Sequence, residues 1–140
     1  MQKIVMKDDV FLAMNGAVRN LDEIIQRLLL GTGLRSIDLF ILRSLAKSDG
    51  MHASELAKSV GREATSFTSN LDALQKLGYI ERRADKADRR AVRIYLTQVG
   101  REIQPRVEDA YGKLKVMLNR IIGAEGVRDL LNTLMQIQKL

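Results

Sequence analysis

Between Arg82 and Arg93 the chain concentrates charge as nowhere else. Arg82, Arg83, Lys86, Arg89, Arg90 and Arg93 supply six cations, with Asp85 and Asp88 set among them. A loop this charged cannot pack inside a core, and its chemistry is the neutralisation of a negative partner. Its length matches the depth of a nucleic-acid groove. The competing role is a solvated hairpin without a partner. Aspartate also favours turns, which is the simplest reason for Asp85 and Asp88 to be present.

The rest of the composition narrows the chemistry. The 140 residues carry a net charge of +6, with 46% hydrophobic and 29% charged residues and a pI near 9.8. These values describe one globular domain that suits a polyanion. There is no cysteine and one histidine, His52. A thiolate or histidine metal site is therefore excluded, as are disulfides, and no cofactor is expected. No nucleophile, base and orienting group form a set, and no glycine-rich phosphate loop occurs, so an enzyme is not expected. No run of about 18 apolar residues is present, so no membrane span is expected. The stretch Met1–Val10 lacks the apolar segment of a secretory signal, which points to the cytoplasm.

The elements that position the charged loop follow from periodicity. Leu71, Leu74 and Leu77 mark a helix, about 64–77, that stops at Gly78. Tyr79 to Arg82 reads as extended. Val92, Ile94 and Leu96 alternate with Arg93, Tyr95 and Thr97, the period of a strand with one buried face. The charged loop is thus the tip of a β-hairpin. Upstream, Ser36 is the expected N-cap of a helix that buries Leu39, Ile41, Leu42 and Leu45. A short helix over about 53–59 follows, with Leu56 and Ala57 inward. Gly61 is the turn into the 64–77 helix, which also buries Phe67. Two helices about a glycine turn are a helix-turn-helix. The exposed start of the second helix carries Thr65, Ser66, Thr68, Ser69 and Asn70, small groups suited to close approach to phosphates and base edges.

Long helices flank this unit. Over about 9–30, Val10, Met14, Ala17, Leu21, Ile24 and Leu28 form a wide apolar stripe. Beyond Thr97, an expected cap, Ile103, Val107, Ala110, Leu114, Met117 and Ile121 form another. Pro105 should kink that helix or displace its start. After Gly123, Val127, Leu130, Leu131, Leu134 and Ile137 form a last stripe. A small domain has little core to offer such faces, so a subunit interface through Val10, Met14, Leu21, Ile121, Leu130 and Leu134 is expected. The order is α-α-α-α-β-β-α-α, mainly α, and the hairpin must lean on the helix-turn-helix. That combination is a winged helix-turn-helix. The winged lobe is expected over about 36–97, and a dimerisation lobe over about 1–35 plus 98–140.

The chain resembles the MarR family of transcriptional regulators. The likeness rests on Glu55-Leu56-Ala57, on Leu74 to Ile80, on Arg82-Arg83-Ala84-Asp85-Lys86-Ala87-Asp88-Arg89-Arg90-Ala91, and on Leu96-Thr97-Gln98-Val99-Gly100. The resemblance implies a homodimer on a pseudo-palindromic operator in double-stranded DNA, with repression the expected direction. It also implies a small-molecule effector, often an aromatic acid, that relieves DNA binding. Phe11, Phe40 and Tyr111 are the aromatic candidates for its pocket, with core packing the competing role. By position, Arg90 would enter the minor groove and Asp88 would orient it. His52 and Glu63 stand where the family often has capping residues. A histidine caps poorly, so the 53–59 helix is expected to start loosely. Ser69 stands where many members carry arginine, which shifts phosphate contact toward the wing. The alternative function is a winged-helix module that binds a protein instead of DNA.

Overall fold

The computed structural model describes residues 8–140. The first residues of the expected dimerisation lobe, 1–7, on which the expectation about a secretory signal mostly rests, lie outside the described residues. Helix α1 (Val10–Leu28) starts where Asp9 Oδ1 accepts the amides of Phe11 and Leu12 at 3.0 and 3.1 Å. Its apolar stripe is mostly unburied within the chain: Ile25 is covered, whereas Val10, Val18 and Leu21 are exposed.

Helix α2 (Ser36–Lys47) buries Leu39, Ile41, Leu42 and Leu45. Its cap differs from expectation. Arg35 is the N-cap, and Asp38 Oδ2 accepts the Arg35 amide at 2.7 Å while its carboxylate also meets the Arg35 guanidinium at 3.3 Å. A carboxylate has enough lone pairs for both donors, which leaves Ser36 Oγ to donate to the Asp22 carbonyl of α1 at 3.2 Å.

A short strand, β1 (Met51–His52), precedes α3 (Ala53–Ser59) and α4 (Ala64–Lys76). Strands β2 (Ile80–Ala84) and β3 (Val92–Leu96) complete an antiparallel sheet in the order β1-β3-β2. The hairpin expected as two-stranded therefore has a third strand. Two residues have no readable period, so β1 left no pattern in the sequence. It is set by Gly50, whose φ of +78° turns the chain and whose amide donates to the Ile94 carbonyl at 2.9 Å. Asp49 Oδ1 accepts the Leu96 amide beside it at 2.8 Å. His52 offers no side-chain cap to α3, yet the helix start is fixed, because His52 pairs with Arg93 across the sheet.

Thr97 caps a short helix, α5 (Gln98–Glu102), through Thr97 Oγ1 and the Gly100 amide. Pro105 then sits in the first turn of α6 (Gln104–Ile137), where its missing N–H costs nothing. It displaces a helix start, the second of its two expected effects. Gly123, at φ 71° and ψ 171°, breaks α6 into two arms. One apolar cluster joins all of this: Ile25 from α1 and Leu29 at its C-cap, the α2 leucines, Leu56, Phe67, Leu71, Leu74, Ile80, Ile94 and Leu96, and Val107 and Ala110 from α6. Leu77, expected inside, is 43% exposed because α4 ends at Lys76 and Leu77 forms its C-cap.

The wing base is tied to the rest at Tyr79 and Gly100. Tyr79 Oη donates to the Thr32 carbonyl at 2.8 Å, and the Tyr79 carbonyl accepts the Thr97 amide at 3.1 Å. A Cβ on Gly100 would lie 2.0 Å from that carbonyl oxygen. The clash is with backbone, so no rotamer relieves it. Gly100→Ala is expected to lower stability by about 2 kcal/mol or more, the range of overpacked buried sites. A urea titration that shows no shift in midpoint would refute this.

Candidate nucleic-acid interface

Two elements face solvent beside one another: the start of α4 and the β2–β3 wing. The turn into α4 is made by Gly61, at φ +67°, and by the Arg62 amide on the Ala57 carbonyl at 2.9 Å. Phe67, Leu71 and Leu74 bury one face of α4. Burying Phe67 fully contributes on the order of 2–3 kcal/mol to seating this helix. Thr65, Ser66, Thr68 and Ser69 are exposed and Asn70 is half-buried. Ser66 and Ser69 each donate to a carbonyl one turn back, Glu63 O at 3.2 Å and Ser66 O at 3.0 Å. Their oxygens remain free to accept. The first backbone bond of α4 runs from Phe67 N to Glu63 O, and Glu63 gives no side-chain cap. The amides of Ala64, Thr65 and Ser66 therefore point outward with the positive end of the helix dipole, a geometry that favours anions.

The wing cations fall into two groups. Arg82 is turned onto α4, where it donates to Gln75 Oε1 at 2.8 Å, to Asp72 Oδ1 at 2.7 Å and to the Thr68 carbonyl at 3.2 Å. Arg83 pairs with Glu81 and stacks on Tyr95, 4.4 Å from the ring centre. Arg93 donates to Asp85 Oδ2 at 3.0 Å and to the Gly50 carbonyl at 2.8 Å. Lys86, Arg89 and Arg90 are exposed at the tip and, among the described residues, form no ion pair. Strand β2 extends past Arg82, the expected end of the extended run, and takes in Arg83, read as a loop residue from the sequence. Asp88 Oδ1 accepts the backbone amide of Arg90 at 3.0 Å, and its carbonyl accepts the Ala91 amide at 3.0 Å. The Asp88 contact is thus to the Arg90 peptide, a turn contact that fixes where the arginine leaves the loop.

Asp85 organises the tip from below. It is 9% exposed. Its Oδ1 accepts the Ala87 amide at 2.9 Å. Its Oδ2 accepts both Arg93 Nε and His52 Nε2, the latter at 2.6 Å. His52 Nδ1 lies 3.5 Å from Glu55 on α3. The bond from His52, with that from the Ala87 amide, holds the Asp85 carboxyl well below the usual carboxylate range. The same bond, aided by Glu55, raises His52 above its ordinary 6.5, while Arg93 and partial burial pull the other way. Sequence reasoning missed this cluster, because His52 and Asp85 are 33 residues apart and only the sheet brings them together.

The aromatic candidates separate. Phe11 is 79% exposed and Phe40 is 38% exposed, so neither is core within the chain. The stripe that carries Phe11 is unburied, and Phe40 lies on the outer face of α2. Phe40, Arg43, Lys47, Lys58 and Gln138 line an open cleft of about 510 Å³. Tyr111 packs beneath Arg43, whose guanidinium lies 3.4 Å from its ring centre and bonds Glu108 at 2.9 Å. Phe11 does not line this cleft. Of the expected interface residues, Val10, Leu21, Ile121, Leu130 and Leu134 are exposed and Met14 is half-buried.

The MarR family model matches residues 37–92, which is the stretch from the first turn of α2 to the first residue of β3. Over this stretch the chain is similar to the MarR family. All of the helix-turn-helix and the whole wing tip, including His52, Asp85 and Arg90, lie inside the matched stretch. The fold of the full chain is also shared with solved structures of transcriptional regulators. It is similar to the transcriptional repressor CouR bound to a 23-mer DNA duplex, at 22% identity, TM-score 0.82, and coverage of 99% of this chain and 98% of that one. It is similar to the transcriptional regulator MosR of M. tuberculosis in complex with DNA, at 26% identity, TM-score 0.80, and coverage of 94% and 97%. It is similar to the PcaV transcriptional regulator of Streptomyces coelicolor in complex with its natural ligand, at 12% identity, TM-score 0.85, and coverage of 99% and 98%. Among the described residues, no helix is long and apolar enough to cross a membrane.

The Asp85 cluster predicts how stability of the wing depends on pH. His52 has its folded pKa above 6.5, so its contribution is complete below pH 6.5 and is lost as pH climbs through the raised value. Asp85 has its folded pKa below 3.8, so its contribution is complete above pH 3.8 and is lost as pH falls through the depressed value. The melting-temperature gap between wild type and Asp85→Asn should therefore be widest between those two limits and narrow on both sides. A gap independent of pH would show that the pairs contribute nothing to folding.

Proposed function

We propose that the protein is a sequence-specific, double-stranded-DNA-binding transcriptional regulator. It acts as a homodimer on a pseudo-palindromic operator, with repression as its direction. The observation that carries this reading is the wing tip. Lys86, Arg89 and Arg90 are left free while Arg82, Arg83 and Arg93 are used inside the chain. Three unneutralised cations on the wing tip and the open amides of α4 fit a duplex, with α4 in the major groove and the wing in the minor groove. Thr65, Ser66, Thr68, Ser69 and Asn70 face the bases and phosphates on this reading. Arg82, Arg83 and Arg93 act by fixing the frame of the wing. CouR and MosR, solved on DNA, support the same assignment. The location that follows is the cytoplasm, and no catalytic role is assigned.

The apolar faces support the dimer. Val10, Met14 and Leu21 on α1, with Ile121, Leu130 and Leu134 on α6, form the proposed interface of a lobe made of about 1–35 and 98–140. The winged lobe spans about 36–97. Exposed apolar surface on this scale marks an interaction face in a soluble protein. A small anionic, aromatic effector is proposed for the cleft at Phe40, Arg43, Lys47 and Lys58, whose volume is in the range of small-molecule sites. PcaV, solved with its natural ligand, supports an effector in this fold.

Arg90→Ala should weaken binding to a duplex selected from genomic fragments at least about tenfold and lower the salt slope by about one. Anisotropy titrations at several salt concentrations read both values. Unchanged affinity would reject the wing model, and an affinity indifferent to salt would favour a protein partner instead. Leu130→Glu combined with Leu134→Glu should give a monomer in sedimentation and reduce duplex affinity about a hundredfold or more, since two half-sites no longer bind together. A dimer that survives both changes would place the interface elsewhere.

A further inference from the structure

We propose that His52 is a positioning residue for the wing, and that its protonation tightens DNA binding by fastening the wing base to the start of the helix-turn-helix. This rests on the regulator reading above. His52 is at the junction of β1 and α3, in cross-strand register with Arg93. Three charged groups face it: Asp85 from the wing loop, Glu55 from α3, and Arg93 from β3. The Asp85 carboxylate that His52 holds also fixes the Ala87 amide, the residue next to Lys86. His52 is therefore the side chain through which α3 and the cationic tip meet.

The protonation state changes two things at once. With His52 charged, the cluster balances two cations against two carboxylates, and the His52–Asp85 bond is charge-assisted. With His52 neutral, Nε2 can still donate its hydrogen to the Asp85 carboxylate, but the bond loses the attraction between two full charges. The cluster then carries a net negative charge beneath Lys86, Arg89 and Arg90, which opposes an approaching phosphate backbone. Both changes weaken duplex binding as pH rises. Asp85 shifts the effect upward from the ordinary imidazole range, because it favours the charged imidazole. His52 is the only histidine and there is no cysteine, so no other side chain ordinarily titrates in this window.

The test has two arms. The single histidine gives one imidazole signal by nuclear magnetic resonance. Its titration midpoint should lie above 6.5 in the wild type and fall in Asp85→Asn. Duplex affinity is then measured by anisotropy from about pH 6 to about pH 8.5, using a duplex selected from a random pool by the wild-type protein. Wild-type affinity should fall about five- to tenfold across that range, a typical coupling between two sites. His52→Gln, which keeps a hydrogen-bonding side chain without a titrating proton, should bind with a flat profile near the alkaline wild-type value. Circular dichroism confirms that the variant is folded. Parallel profiles for wild type and His52→Gln, or a midpoint at or below 6.5, would overturn the proposal. Absence of duplex binding at every pH would overturn the regulator reading itself, while the imidazole titration would still decide whether His52 and Asp85 are coupled.

Discussion

One carboxylate holds the wing in place. Asp85 is nearly buried at the base of a loop made mostly of cations, and it accepts from a backbone amide, an arginine and a histidine. Without it, a histidine from β1 and an arginine from β3 would face each other with no acceptor between them. A buried carboxylate is tolerated only when its lone pairs are filled, and here the donors come from three separate elements. The sheet register, the turn at Gly50 and the course of the loop are all constrained by that requirement.

The same constraint sorts the cations. A cation that binds inside the chain has already exchanged its water for a carboxylate or a carbonyl, so it has little left to offer a phosphate. Arg82 joins β2 to α4, which fixes the angle between the wing and the helix beside it. Arg93 joins β3 to the turn before β1. These exposed or half-exposed pairs are individually weak, of order 1 kcal/mol or less. Their value is geometric, because they hold two elements at one spacing. Lys86, Arg89 and Arg90 extend beyond that frame with their charge unspent, and the Asp88 turn sets the direction in which Arg90 leaves it.

The long helices obey a different rule. Within one chain, α1 commits Ile25 to the common core and α6 commits Val107 and Ala110. Most of their remaining apolar residues face outward. A 34-residue helix broken at Gly123 presents more apolar face than one winged unit can cover. In the proposed homodimer, that surplus is the face a second copy of the chain would bury.

The sequence by itself determined the helices, the hairpin and the likeness to the MarR family, because each is written in local spacing. Leu39, Ile41, Leu42 and Leu45 mark one buried face, Ile94 and Leu96 the other, and Gly61 and Gly78 punctuate them. The cationic tip was equally legible, since a charge run needs no partner to be seen. What the sequence left open was pairing at a distance. The strand β1 is too short to show a period, and Pro105 reads the same whether it bends a helix or begins one. His52 read as a poor helix cap, and Arg93 as one more cation of the charged run. Only the tertiary structure decided these, because a side chain's role depends on which donors and acceptors lie within about 3 Å of it, and the chain brings those groups together from turns and strands tens of residues apart.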